Sequence, residues 1–589
     1  MRVPGASAIR WGRTHWGRTH WGQIHWGQIH WGQIHWGETR AASLVALGGL
    51  VVMLVFGLLL PVYSDEIVWR FHERAALDGG FDVWLNDICG AQTIARAPWF
   101  MMPARWFSAT MNLALPSPLF VRIEGVVCAL AWLALLWRLT GRVVGDPATR
   151  NAARTLALAL LGLGVLPLLL VMSRPEQALI LTLGGMIAIA LPRAEDRPDL
   201  AATTAVAWLK CGAILMLATI ALSYHIKGVL YAGVAAACLA VCARGSRTLM
   251  PRLAAGAVLA ILTFAAFRYW SARFACPGDP VLARALAGQN VAALLGNGGE
   301  LISKLPRLVA NALPILYVVP AIPSPEPISA WLPPHVFSPT LSLWFRVGML
   351  AMWAAAGGFA LFTVVRSVAS RGLVRLLEPR LAIAATILAC LLVWGFSQVS
   401  KNMYEAAHVL PLSVLAMVLA IGSSDAAPRR VLSGLAAVAL AFALVSQTVV
   451  VTALARPFAA AAASRGALPD QPLSLAALRY GEAHGDIVRA MRAAGMPDRL
   501  ERPLIDDATY LALQRSHLPL HVLGVFGPWR GSIADPADYL LRRKSSGIVA
   551  LCANLPPRFR AAAARSGEVC AVGADRLDGL RETAGTTAG

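Results

Sequence analysis

Apolar runs recur along most of the chain, near 41–62, 119–137, 155–172, 177–192, 203–222, 229–243, 253–270, 343–365, 381–397, 409–422 and 431–453. A helix crossing the hydrocarbon core of a bilayer needs about 20 predominantly apolar residues. Eleven runs of roughly that size leave little room for any other architecture. The rest of the composition agrees. Of 589 residues 57% are hydrophobic and 14% charged, with a mean hydropathy of +0.60, whereas soluble domains carry about 25% charged residues. A soluble globular enzyme and a disordered scaffold are both excluded. The expected fold is an α-helical polytopic membrane protein of about eleven transmembrane helices.

The net charge of +20 would suit a nucleic-acid partner, but no basic stripe with interleaved aromatics is present, and no nucleic acid is expected. The arginines collect in alternate short gaps: Arg138, Arg142, Arg150 and Arg154, then Arg193 and Arg197, then Arg244, Arg247 and Arg252, then Arg366, Arg371, Arg375 and Arg380, then Arg429 and Arg430. Positive charge marks cytoplasmic loops. The N-terminus is therefore expected inside and everything after about 456 outside, in a plasma (inner) membrane with the C-terminal part extracytoplasmic. Residues 1–40 carry a five-residue His-Trp-Gly-x-x repeat whose period fits neither helix nor strand; a disordered tail is expected there, rather than a His-rich metal tract.

With that sidedness, four charged clusters share the outer face. Tyr63-Ser64-Asp65-Glu66 opens a loop over 63–118. Ser173-Arg174-Pro175-Glu176-Gln177 follows the third run, Tyr224-His225-Ile226-Lys227-Gly228 the fifth, and Lys401-Asn402-Met403-Tyr404-Glu405, with His408, the ninth; a second large external loop covers 271–342. Ionisable groups at membrane depth are costly unless paired, hydrated or functional, so their common side points to one composite site. A carboxylate such as Asp65 or Glu66 can take the proton of an attacking hydroxyl. The fork of Arg174 and the compact charges of Lys227 and Lys401 suit a phosphate, and would stabilise one that leaves. Glu176 is placed either to orient Arg174 or to bind a sugar hydroxyl, while His225, Tyr404 and His408 complete the candidate binding set.

This ordered set resembles the polytopic glycosyltransferases of the GT-C superfamily, such as protein mannosyltransferases and lipid A aminoarabinose transferases. The resemblance covers about 41–455 by layout, through the four short motifs just quoted. It implies Asp65 as the catalytic base, a polyprenyl-phosphate sugar donor, a glycan, lipid or protein acceptor, inversion at the anomeric carbon and an extracytoplasmic active site. The metal signature of the oligosaccharyltransferase branch is missing, so no cofactor is expected; a divalent metal would need more oxygen ligands than Asp65 and Glu66 guarantee. The alternatives are a transporter or flippase of lipid-linked glycans, which would place charges in broken helices at mid-membrane, and a non-catalytic envelope-polysaccharide assembly protein.

Two local expectations complete the reading. In the first loop, Ile67, Val68, Phe71 and Ala75 fall on one helical face and Arg70, Glu73 and Arg74 elsewhere, as in a helix resting on the membrane surface or, equally, a buried packing helix. Over 456–589, apolar runs at 502–505, 518–525, 547–552 and 569–572 alternate with helical patterns at 508–516, 536–544 and 557–566, which reads as a small α/β domain with a mainly parallel sheet. Asp506 and Asp507 end a strand as helix caps or ligand groups. Cys552 and Cys570 are expected to pair in an oxidising compartment; Cys89 and Cys276 face the same side.

Overall fold

The computed structural model describes residues 39–59, 94–115, 117–192, 204–242, 248–273, 339–372, 377–397, 403–423, 428–463, 480–516 and 545–586, with shorter stretches between them. The terminal repeat, Asp65, Lys401, Cys89, Cys276 and nearly all of 274–338 lie outside the described residues. Each of the eleven apolar runs is helical. Among the described residues six helices are long and apolar enough to cross a membrane, and four more are shorter apolar helices. This is a multi-pass membrane protein; six of the described helices, not eleven, meet the length and apolarity of a span.

The helices begin where the sequence supplies caps. Thr39 accepts the Ala42 N–H at 3.1 Å ahead of Arg40–Phe56. Ser117 precedes Pro118–Val143, and Asp146, accepting from Thr149 N at 2.8 Å, precedes Pro147–Leu161. Proline at the first helical position costs nothing there, since its missing N–H would have been unpaired. The third run is not one helix but two, Pro147–Leu161 and the fully buried turn Leu166–Leu170. Its interruption is closed from the last long helix, Arg429–Ala463: Ser446 Oγ accepts the Gly164 N–H at 3.2 Å, and Gln447 Nε2 donates to Gly162 O at 3.1 Å. The break is thus satisfied by protein groups, as irregular backbone at membrane depth must be. One apolar core runs through the bundle, including Leu50, Trp132, Leu160, Leu183, Ile387 and Leu415.

The C-terminal part folds around a five-stranded sheet in the order Leu520–His521, Leu504–Ile505, Gly547–Leu551, Val569–Gly573, Ala564–Ser566. The expectation of a mainly parallel sheet is corrected. The first three strands are parallel, but Val569–Gly573 runs antiparallel to both of its neighbours. The physical reason is a tight turn at Ser566–Gly567–Glu568, where Gly567 has φ +56°, a conformation glycine adopts without strain. The helix expected over 557–566 accordingly stops at Ala562, and Ala564–Ser566 becomes an edge strand. Cys552 and Cys570 form the disulfide. Asp506 is a cap and anchor rather than a ligand group. It is buried, and its carboxylate accepts from Thr509 N, Thr509 Oγ1, Leu551 N and Asn554 Nδ2 at 2.8–3.0 Å.

This domain rests on the bundle beside the first loop. Val62, Ile67 and Val121 share one apolar cluster with Ile487, Tyr510 and Leu511, and Arg74 donates to Ser516 O at 3.2 Å. In the first-loop segment Ile67 is buried along with Arg70 and Glu73, as in the packing helix rather than the surface one; Val68, Phe71 and Ala75 lie outside the described residues. Arg70 and Glu73 are buried, because both side chains have polar partners inside.

Candidate functional site

Glu66 is the described residue nearest the proposed base in sequence, and its side chain is fully buried. Arg122, equally buried, grips both of its oxygens, at 2.9 Å and 2.5 Å, and the Ser173 N–H adds a third bond at 2.7 Å. Arg122 also donates to Val171 O at 3.3 Å. Glu66 therefore ties the start of the first loop to the turn that carries Ser173 and Arg174. Arg70 doubles the tie, donating to Glu66 O at 3.1 Å, Ser173 Oγ at 3.0 Å and Glu124 at 2.7 Å. Ser173 Oγ in turn donates to Glu124 at 2.8 Å. The close approach depends on Gly125, where a Cβ would stand 1.8 Å from Val171 O.

The second half of the site follows directly along the chain. Arg174 donates through Nε to Glu176 Oε2 at 3.1 Å and through Nη2 to Oε1 at 3.4 Å. Lys227 Nζ donates to the same Glu176 at 2.7 Å and lies 3.7 Å from Glu405 Oε2. The Arg174 guanidinium lies over the Tyr404 ring, 3.7 Å from its centroid, a cation–π contact that fixes the plane of the fork. Glu176, Lys227 and Glu405 are buried. Glu176 thus pairs with both cations.

His225 accepts the Lys227 N–H through Nδ1 at 3.1 Å, and its ring packs against Trp69 and Trp270. Burial first, then the Lys227 charge, pushes its pKa down to about 3. With Nδ1 accepting, a neutral imidazole carries its proton on Nε2. His408 is buried between the rings of Tyr231 and Trp394, as a packed core histidine would be.

Sequence reasoning missed Arg122, Glu124, Ser173 as an acceptor partner, and Glu73. Arg122 and Glu124 stand inside the apolar run 119–137, and a charge inside such a run is itself a signal. Glu73 accepts from Trp69 Nε1 at 3.0 Å, Ser108 Oγ at 2.5 Å and Asn112 Nδ2 at 2.6 Å. Burial nevertheless pushes its pKa up to about 7.

The site thus draws on segments near 66–74, 122–125, 173–177, 224–228 and 404–405, all at one end of the bundle. No family model and no curated protein sequence matches the chain. Among solved structures the fold is similar to an archaeal oligosaccharyltransferase, AglB from Archaeoglobus fulgidus, in complex with an inhibitory peptide and a dolichol-phosphate. That likeness has 13% identity and a TM-score of 0.37 over 86% of this chain and 69% of that one. It is also similar to ArnT from Cupriavidus metallidurans bound to undecaprenyl phosphate, with 15% identity and a TM-score of 0.42 over 91% and 98%. Both are GT-C superfamily glycosyltransferases, the class that the four motifs resemble.

Proposed function

We propose that this chain is an integral-membrane glycosyltransferase that moves a sugar from a polyprenyl-phosphate carrier to an acceptor hydroxyl on the extracytoplasmic side. One observation carries the reading. A continuous chain of contacts joins the residue after Asp65 to the cations, from Arg122 and Glu66 to Ser173 N, and from Arg174 through Glu176 to Lys227 and Glu405. Segments more than three hundred residues apart in sequence meet at one place, with acid at one end and phosphate-binding donors at the other.

In this mechanism Asp65 accepts the acceptor proton as the acceptor oxygen attacks the sugar C1. The bond from C1 to the phosphate oxygen breaks with its electron pair, the polyprenyl phosphate departs, and the anomeric centre inverts. Arg174 and Lys227 hold the phosphate, with Lys401 adding a further charge. Within the network the charges of Arg174 and Lys227 are matched by Glu176 and Glu405. Directed donors rather than net charge therefore bind the donor, and stabilise it most as the leaving charge develops. Glu66 acts through Arg122 and Ser173 as a positioning residue. A transporter reading finds less support, since the broken third helix is closed by Ser446 and Gln447 and so offers no ligand-binding gap.

The test is Asp65→Asn, assayed for transfer from a radiolabelled polyprenyl-phosphate sugar in membranes. Transfer collapses while the amount of inserted protein stays normal; persistent transfer refutes the assignment of the base.

A further inference from the structure

At the opposite end of Arg40–Phe56 from Glu66, arginines that the sequence explains by sidedness alone converge on one another. Arg150 and Arg154 stand four residues apart on Pro147–Leu161, a spacing at which like charges repel along one helical face. Both reach the same point on the neighbouring helix Pro118–Val143, where a Cβ on Gly141 would lie 2.6 Å from Arg154 Nη2 and 3.9 Å from Arg150 Cδ. Arg154 is held there. Its Nη2 donates to Trp137 O at 3.0 Å, and its guanidinium lies 4.1 Å from the centroid of the Trp137 ring. Arg40 is close enough for its charge to act against that of Arg154, as the charge of Arg150 does. Other arginines at this end find acceptors on neighbouring helix ends: Arg142, Arg252 and Arg380 donate to Ala188 O, Ala240 O and Gly422 O. Arg150 does not. Its side chain has no hydrogen-bond or ion-pair partner among the described residues, and the Nε–H groups of Arg150 and Arg154 are both buried without an acceptor. Asp146, the acid nearest to Arg150 in sequence, turns its carboxylate to Thr149, accepting from N at 2.8 Å and from Oγ1 at 2.6 Å.

We propose that Arg40, Arg150 and Arg154 form an anion site that takes a phosphate group, at the far end of the bundle from the candidate active site. Buried donors without acceptors call for an ion or water to complete them. Guanidinium forks match phosphate oxygens two at a time. A phosphate among the three arginines replaces their mutual repulsion with attraction and gives the buried Nε–H groups their acceptors. The setting suits the headgroup of an anionic phospholipid. Leu44 and Val45, one turn into the first helix, are exposed on a helix long and apolar enough to span, and basic pockets between spanning helices hold anionic headgroups. Free phosphate offers the same chemistry. This inference depends on the packing at the arginine-bearing end and not on the transferase reading.

The test is thermal unfolding of the full-length protein, washed free of lipid in a neutral detergent and titrated separately with phosphatidylglycerol, phosphatidylcholine and inorganic phosphate. Before any addition, Arg150→Gln is expected to melt at or above the parental Tm, because it sheds a like charge that has no partner. Phosphatidylglycerol raises the parental Tm. The concentration giving half of that rise is about tenfold higher for Arg150→Gln, as the loss of one charge-assisted hydrogen bond implies. Arg366→Gln, which removes an exposed charge from another helix, leaves that concentration unchanged. If inorganic phosphate reproduces the rise, the site takes free phosphate; if phosphatidylglycerol alone produces it, the site takes a lipid headgroup. No rise with either anion, phosphatidylcholine as effective as phosphatidylglycerol, equal responses in the parent and Arg150→Gln, or a variant already destabilised before any addition overturns the inference.

Discussion

Removing the charge of Glu66 while keeping its shape, as in Glu66→Gln, leaves the Arg122 guanidinium buried without a counter-ion. Both side chains are wholly inaccessible and joined by two hydrogen bonds, with a third from Ser173 N. Breaking a buried pair by removing one partner costs about 3–5 kcal/mol, whereas exchanging both partners for an apolar pair is often neutral. Glu66→Gln and Arg122→Met are therefore each expected to lower Tm in detergent, and the apolar double variant Glu66→Leu/Arg122→Met to recover most of that loss. Transfer behaves differently. The double variant restores packing but not the tie between the first loop and Ser173, so the proposal expects kcat to stay low while donor KM, which it assigns to Arg174 and Lys227, changes little. Thermal unfolding followed by fluorescence gives the first quantity, and initial rates with labelled donor give the second. If the single variants are as stable as the parent, the ion pair is not buried as described. If the double variant transfers at the parental rate, Glu66 and Arg122 do not position the base.

Two further outcomes follow. Glu73 should make stability depend on pH: its folded pKa, near 7, lies above the ordinary 4.5, so the unfolded chain loses its proton first as pH rises. Stability is full below about 4.5 and falls by about 3 kcal/mol by pH 7; Glu73→Gln abolishes that slope, and an unchanged slope in Tm against pH shows that another group carries it. Gly125→Ala should disrupt the site through packing alone, because its Cβ has no room beside the Val171 carbonyl; an alanine variant with parental Tm and activity contradicts the close approach.

The spans were legible because the bilayer imposes a length and a polarity that short apolar runs cannot imitate. Arg174, Lys227 and Glu405 were legible as charges flanking apolar runs, and Glu176 and Lys227 bring the three together. What the sequence could not show was how charges within spans pair. Arg122 reads as an interruption of an apolar run until Glu66, 56 residues away, is brought against it. The first loop follows the same rule. Arg70 and Glu73 look like a solvated face, but their partners Glu124, Ser173, Ser108 and Asn112 come from other segments, and pairing makes burial tolerable. In the C-terminal domain, alternation of strand and helix patterns led to a parallel reading. The turn at Gly567 reverses the chain, and register around such a turn is a local property that alternation does not report.

The convergence of Asp65 with the cationic cluster is tested most directly by proximity in the intact membrane protein. In a variant without other free cysteines, Asp65→Cys is combined with Arg174→Cys and treated with a short thiol-specific cross-linker. The reference pair combines Asp65→Cys with Arg142→Cys, which lies twenty residues from Arg122 along one helix, about 30 Å at the α-helical rise. The account predicts rapid bridging of 65 to 174 and none of 65 to 142. Failure of the first pair to bridge, or equal bridging of both, would contradict the single composite site on which the transferase reading rests.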